Sequence, residues 1–144
     1  MRLSFRFKEV DVGGFGIIRR PIIPVTLSSM AGMSMDVEAI IDSGSDGAII
    51  TKDMADALQV VLGKKTEEIG LGGEKMRVVL GHVRLAVTDG RETVRLMDVP
   101  VNVPIEGGAE LEEMIIGREP FFRDFNVTFQ QNSNSIILER ARRA

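Results

Sequence analysis

Short apolar runs rich in Val and Ile, each fenced by Gly, Pro, Asp or Ser, recur along the whole chain, which is the pattern of short β-strands. Leu3, Phe5 and Phe7 alternate with Ser4, Arg6 and Lys8, a period of two that turns one face inward. Residues 22–27 and 35–41 read as two strands joined through 28–34, where Gly32 can take a positive φ. After Thr51 the period changes. Met54, Ala55, Leu58 and Val61 recur at helical spacing, with Thr51 suited to the N-cap, Asp53 to the first turn and Gly63 to the stop, so a short helix is predicted. Val83, Leu85 and Val87 then alternate with Arg84, Ala86 and Thr88, and Asp89-Gly90 turns the chain back into Val94, Leu96, Val99, Val101 and Val103. Pro100 and Pro104 place that last strand at an edge, because proline has no N–H to give to a ladder. Met114-Ile115-Ile116 is a buried run ended by Gly117, Pro120 suits the first position of a brief helix over 121–125, and strands close the chain near 127–129 and 136–138. No linker, low-complexity tract or repeat interrupts the pattern. The prediction is a single all-β domain over residues 1–144, a closed or sandwich-like sheet with one or two short helices, in which residues 1–20 form an N-terminal extension or edge strands.

At 144 residues the chain is long enough to fold without a staple, and its 44% apolar and 27% charged content is that of a soluble domain. What it lacks is more informative. There is no Cys, Trp or Tyr and one His, His82, so thiol nucleophiles, disulfides and thiolate zinc sites are excluded and a triad would rest on a single imidazole. Carboxylates, lysines and hydroxyls remain. With 21 acidic and 18 basic residues the net charge is −3, too balanced for a dedicated nucleic-acid binder. The first ten residues carry four charges and no signal-peptide pattern, and no run is long and apolar enough to span a bilayer. The expectation is a cytoplasmic protein with no nucleic-acid or membrane partner.

One segment carries chemistry. In residues 39–51 an apolar strand end, Ala39-Ile40-Ile41, runs straight into Asp42-Ser43-Gly44, and a second apolar strand follows within a few residues. This puts Asp42 on a tight loop at the edge of the core. Alone it is a poor catalyst, but two such loops facing across a twofold axis would bring two carboxylates to about 3 Å, where they share one proton and hold a water. The ionised partner then takes a proton from that water as it attacks a carbonyl, while the protonated partner donates to the carbonyl oxygen. Ser43 can lock the opposing loops in register, and Gly44 lets a substrate backbone come close.

With these residues in view the chain resembles the retropepsin-like aspartic proteases. The resemblance rests on Asp42-Ser43-Gly44 between apolar strands, on Met114-Ile115-Ile116-Gly117-Arg118 about 70 residues later, and between them on Ile69-Gly70-Leu71-Gly72-Gly73-Glu74-Lys75-Met76 in the place of the family's flap. It spans about residues 22–139 and is closest in appearance to the retropepsin-like domains of eukaryotic ubiquitin-shuttle proteins and their microbial relatives. The resemblance implies a closed acid-protease barrel, a homodimer acting on a peptide or protein substrate, no cofactor and no metal. It implies that Asp42 is the catalytic aspartate and that Ser43 and Gly44 complete its motif. Asp46 would pair with Arg118 to fix the loop, Ile116 and Gly117 form the second signature, and Gly70, Gly72 and Gly73 belong to a substrate-binding flap. Gly47 replaces an acidic residue of some viral members, and residues 1–20 have no clear counterpart. The alternative reading is a retropepsin-fold module for dimerisation or peptide binding without turnover.

Simpler readings stand beside these. Asp42 can cap backbone N–H groups in a turn. Residues 42–53 also scan as a calcium loop, but Gly44 at position 3, Asp53 in place of a bidentate Glu and a preceding strand argue against it. Gly13-Gly14-Phe15-Gly16 suits a turn between strands better than a phosphate loop, since no helix can begin at Ile17 to Pro21. His82 has a surface or packing role. Met30, Met33 and Met35 are edge packing, and Arg140, Arg142 and Arg143 form a solvated basic tail.

Overall fold

The computed structural model describes residues 1–141, so Arg142 and Arg143 of the basic tail lie outside the described residues. Strands β1 (Arg2–Phe5), β2 (Lys8–Asp11), β3 (Ile17–Arg20), β4 (Ile22–Ser28), β5 (Ser34–Ile41) and β6 (Ala48–Ile49) precede helix α1 (Lys52–Leu58). After it come β7 (Thr66–Leu71), β8 (Glu74–Thr88), β9 (Thr93–Glu106), β10 (Met114–Ile116), a helical turn (Arg118–Phe122), β11 (Phe125–Gln130) and β12 (Ser135–Arg140). The main sheet runs β4-β5-β10-β6-β9-β8-β7, and β4 also pairs with β8, from Thr26↔Ala86 to Ser28↔Arg84. That pairing closes six strands into a barrel and leaves β7 outside it as the second arm of a hairpin. Register shifts at Arg77/Val78 and Val83/Leu85 interrupt the long β8–β9 ladder, as bulges do where a strand must bend around a barrel.

Alternation decides which side chains fill the barrel. On β8, Val83, Leu85 and Val87 are at most 2% exposed, and across the ladder Val94, Leu96 and Val99 meet them from β9. A small sheet, β1-β12-β11, packs Leu3, Ile136, Leu138 and Phe125 onto the same core. Residues 1–20 therefore divide: β1 is an edge strand of the small sheet, whereas β2 and β3 form a separate ribbon whose tip, at Gly13–Phe15, is the predicted glycine turn.

The predicted strands at 22–27 and 35–41 appear with those bounds to within a residue, and the closing strands at 127–129 and 136–138 lie inside β11 and β12. Three expectations need correction. The helix begins as predicted, with Thr51 Oγ1 accepting from Met54 N–H at 3.0 Å, but it ends at Leu58, because Gln59 takes the left-handed conformation that was assigned to Gly63, and Val61 is 87% exposed. The strand containing Pro100 and Pro104 is not an edge: β9 lies between β8 and β6, and the β6 contact is confined to Val101 and Asn102, so both prolines fall outside it. The helical segment at Pro120 begins earlier, at Arg118, and gives way to β11 at Phe125. Among the described residues no helix is long and apolar enough to cross a membrane.

Candidate functional site

The Asp42 loop is gripped from below. β5 delivers Ile41 into Asp42, and β10 runs parallel beside it with Ile116 opposite Ile41. The Asp42 N–H donates to the Ile116 carbonyl at 2.9 Å, continuing that ladder by one rung into the loop. The chain then turns through 43–47 into β6, which pairs antiparallel with the other side of β10 at Ile115↔Ile49. One short strand, all three of its residues buried, thus sits between the chain entering the loop and the chain leaving it.

The loop's own polar groups finish the job. Gly44 N–H donates to Asp42 Oδ1 at 2.9 Å, Ser45 N–H to the Asp42 carbonyl at 3.2 Å, and Ser45 Oγ to the Gly47 carbonyl at 2.8 Å. From the far side, Arg118 N–H donates to the Ser45 carbonyl and Glu119 N–H to the Asp46 carbonyl, both at 2.8 Å. Gly117 makes this approach possible. A Cβ there would lie 2.3 Å from the Gly47 carbonyl oxygen and 2.6 Å from that of Ser45, while its φ of −97° suits any residue. The glycine is required for space, not for its dihedral freedom. Asp46 and Arg118 form the ion pair that the sequence suggested, at the surface and largely exposed.

Asp42 itself is half-buried, with Oδ1 held by Gly44 and Oδ2 without a hydrogen-bond partner among the described residues. Above it stands the β7–β8 hairpin, closed by Gly72 (φ +58°) and Gly73 (φ +84°) opposite a Leu71↔Glu74 pair. Two consecutive positive φ values make a tight two-residue turn that twists with its strands, so the glycines read from sequence have a conformational reason. Between hairpin and loop lies a cleft of about 540 Å³. Asp42, Gly44 and Asp46 border it from the loop, and Gly70 and Gly72 from the hairpin.

Not every predicted site residue reaches this cleft. Ser43 is exposed beside it with no side-chain hydrogen bond among the described residues, and Gly73, Ile116, Gly117 and Arg118 are outside its lining. Sequence reasoning missed Asn102, Ile49 and Glu68, which do line it. Asn102 comes from β9, where the brief β6 pairing sets it opposite Ile49, and no local pattern marks that junction. Ile69 and Leu71, which belong to the flap segment of the resemblance, alternate with Gly70 on β7. They pack with Ile49, Met76, Val78 and Ile115 in a second apolar cluster beneath the hairpin, separate from the barrel core.

The same cluster is bordered by the 107–111 loop. A Cβ on Gly107 would lie 2.9 Å from the Lys75 carbonyl oxygen, and one on Gly108 2.7 Å from the Met76 sulfur, so two positive-φ glycines let this loop lie flat against the hairpin's base. His82 is on the outside of the barrel, its Nδ1 2.8 Å from Asp98 Oδ1, away from the cleft.

No protein-family model matches the chain, and no curated protein matches its sequence. Solved structures do match. A retropepsin-like aspartic protease from Rickettsia conorii superposes with a TM-score of 0.56 at 13% identity, covering 96% of this chain and 92% of that one. EIAV protease, in a complex with an inhibitor, superposes with a TM-score of 0.51 at 16% identity, covering 73% of this chain and 88% of that one. The Rickettsia match leaves only 4% of this chain uncovered, so most of residues 1–20, which have no clear counterpart by sequence, fall within it. Identities this low carry architecture and leave chemistry to the site. On that footing, the closed barrel, the strand set between the two arms of the Asp42 loop and the hairpin above it give this chain the retropepsin-like fold.

Proposed function

We propose that the chain is one half of an aspartic endopeptidase, a homodimer in which Asp42 of each copy contributes one carboxylate to a shared dyad. The observation that carries this reading is the position of Asp42: a half-buried carboxylate with one free oxygen, on a loop fixed by backbone bonds on both sides, at the floor of a cleft roofed by a glycine-tipped hairpin. Of the other carboxylates that border the cleft, Asp46 is paired with Arg118 and Glu68 stands on the hairpin strand, so within one chain Asp42 has no second acid on its own loop to complement the base. Two copies related by a twofold axis supply both.

In that arrangement the ionised Asp42 removes a proton from the bound water as its oxygen bonds to the scissile carbonyl carbon, and the protonated Asp42 of the second copy donates to the carbonyl oxygen. Collapse of the resulting diol breaks the C–N bond, and the departing amine takes a proton from the dyad. Gly44, without a Cβ, lets an extended peptide lie against the loop, and the hairpin backbone around Gly70 and Gly72 supplies strand-like hydrogen bonds from above. The reading assigns no metal or cofactor, treats residues 1–144 as one catalytic domain and takes the cytoplasm as its compartment.

Incubation with a diverse peptide library followed by mass spectrometry tests it. The wild-type protein is expected to cleave, and Asp42→Asn, with unchanged circular dichroism, to lose at least about 10³-fold in rate, within the range that proton transfer contributes. Cleavage retained by pure Asp42→Asn would remove Asp42 from the mechanism. A dimer that binds peptides without cutting them would instead identify the module without turnover.

A further inference from the structure

On the outer face of the barrel, where β4, β8 and β9 lie side by side, we propose a binding site for a phosphate-type oxyanion, formed by Arg84, Arg95 and Ser28. The register brings them together. Ser28 is opposite Arg84 across β4–β8, and Ala86, two residues on and on the same face, is opposite Arg95 across β8–β9. The methyl group of Ala86 leaves a gap between the two guanidinium-bearing side chains. There a pocket of about 250 Å³ opens, lined by Ser28, Arg84, Ala86, Arg95 and Met97.

The charges in this pocket are uncompensated. Arg84 is half-buried, and among the described residues its Nε–H is shielded from solvent without a hydrogen-bond partner while its Nη2 donates to the Met30 sulfur at 3.3 Å. Arg95 forms no ion pair and no side-chain hydrogen bond among the described residues. Among the described residues no carboxylate pairs with either arginine: Asp36 on β5 accepts from Thr26 Oγ1 at 2.6 Å and lies outside the pocket's lining. A buried, unsatisfied guanidinium N–H is costly, because the group has lost its water and gained nothing in exchange. A tetrahedral oxyanion accepts from the Nη groups of Arg84 and from Arg95, it neutralises both positive charges, and it takes a further bond from the Ser28 hydroxyl. Met97, 59% exposed at the rim, offers an apolar wall to a carbon skeleton attached to that anion.

Titration of the ¹⁵N-labelled protein at constant ionic strength, with inorganic phosphate in one arm and glycerol 3-phosphate in the other, tests the site against sodium chloride. Saturable shifts are expected for the Arg84 Nε–H and for the amides of Ser28, Ala86 and Met97. Arg84→Gln is expected to abolish saturation, and Arg95→Gln, an exposed position that leaves the fold alone, to weaken affinity about tenfold or more, the usual loss for one charge-assisted bond. Equal affinity in the two arms identifies free phosphate as the ligand, and tighter binding of the ester identifies a phosphorylated small molecule. Shifts that grow linearly, that chloride reproduces, or that Arg95→Gln leaves unchanged would overturn the proposal.

Discussion

The two ends of β8 belong to the same strand and are built in opposite ways. At its start, the Gly72-Gly73 turn has nothing among the described residues within 4 Å of where either Cβ would be. At its finish, the turn into β9 is pinned. The Asp89 carboxylate accepts from Arg91 and Glu92 N–H at 2.9 Å each and, across the gap between sheets, from Ser4 N–H of β1 at 3.1 Å, while Thr88 Oγ1 donates to the Glu92 carbonyl at 2.9 Å. Between these ends the strand passes from a small separate cluster under the hairpin, at Met76 and Val78, into the continuous core at Val83, Leu85 and Val87. Local unfolding free energy follows such differences in burial and bonding, so one strand carries a low-stability end over the cleft and a high-stability end that ties the small sheet to the barrel. The first leaves the hairpin over the cleft free to move, and the second fixes the turn into β9 against the small sheet.

The Asp42 loop, held by backbone bonds on both sides, is a second fixed region, and the strongest test of the contrast with the hairpin is there. Gly117→Ala should destabilise the whole molecule by about 3 kcal/mol, near the top of the usual range for overpacking, because the added Cβ meets two backbone carbonyls that cannot rotate away. Chemical denaturation measures this. A loss below about 1 kcal/mol would mean that the Asp42 loop is softer than its hydrogen bonds indicate, and the contrast with the hairpin would narrow.

Substitution at the hairpin tip should have the opposite signature. Gly73→Val forces a β-branched residue to a φ of +84°, a strain of about 2 kcal/mol, yet the hairpin can fray and so limit the loss in global stability. Faster amide exchange over residues 69–76 and a raised KM are expected, with little change in Tm. Gly72→Asn, at φ +58°, is the matched control, because asparagine tolerates this region, and it should behave like wild type. A fall in Tm with Gly73→Val as large as that with Gly117→Ala would erase the distinction between the hairpin and the fixed Asp42 loop.

Much of this was legible in the sequence because it is local. Thr51 as an N-cap and the alternation of Val83, Leu85 and Val87 act within a few residues, and each appears where expected, whereas the glycines at 72 and 73 were legible through the family resemblance. The three segments around Asp42, Gly72 and Gly117 were legible as a set. The reason for the third was not: Gly117 is a glycine because the 45–47 backbone, 70 residues away in sequence, passes against it. Gln59 shows a different limit. Nothing about a glutamine signals a left-handed cap, and the helix is closed there by backbone bonds from Gln59 N–H to the Asp56 carbonyl at 3.1 Å and from Val60 N–H to the Ala55 carbonyl at 3.0 Å. Asn102, Arg84 and Arg95 owe their settings to strand register, which sequence alternation predicts by face but not by partner.

Asp89 sharpens the comparison most finely, through pH. Its sequence context predicts only a turn. The structure shows a carboxylate receiving three backbone N–H groups, and these bonds favour its charged form and hold its pKa below the ordinary aspartate value. A folded-state pKa lower than the unfolded one means that the unfolded chain binds the proton more readily. The stabilisation is therefore complete above the unfolded value, near 4, and is lost as pH falls through the lower folded value. Asp89→Asn keeps the shape and removes the charge, so its Tm should lie below that of wild type near neutrality and the gap should close in acid, below about pH 4. The measurement is the Tm of both proteins across that range. A gap that is constant with pH would show that the turn is held by shape alone, and a gap that widens in acid would reverse the sign of the argument. Among the described residues no side-chain carboxylate accepts from the Gly72 or Gly73 N–H, so Asp89→Asn should leave the amide exchange of both glycines unchanged, which separates the two ends of β8 by chemistry as well as by packing.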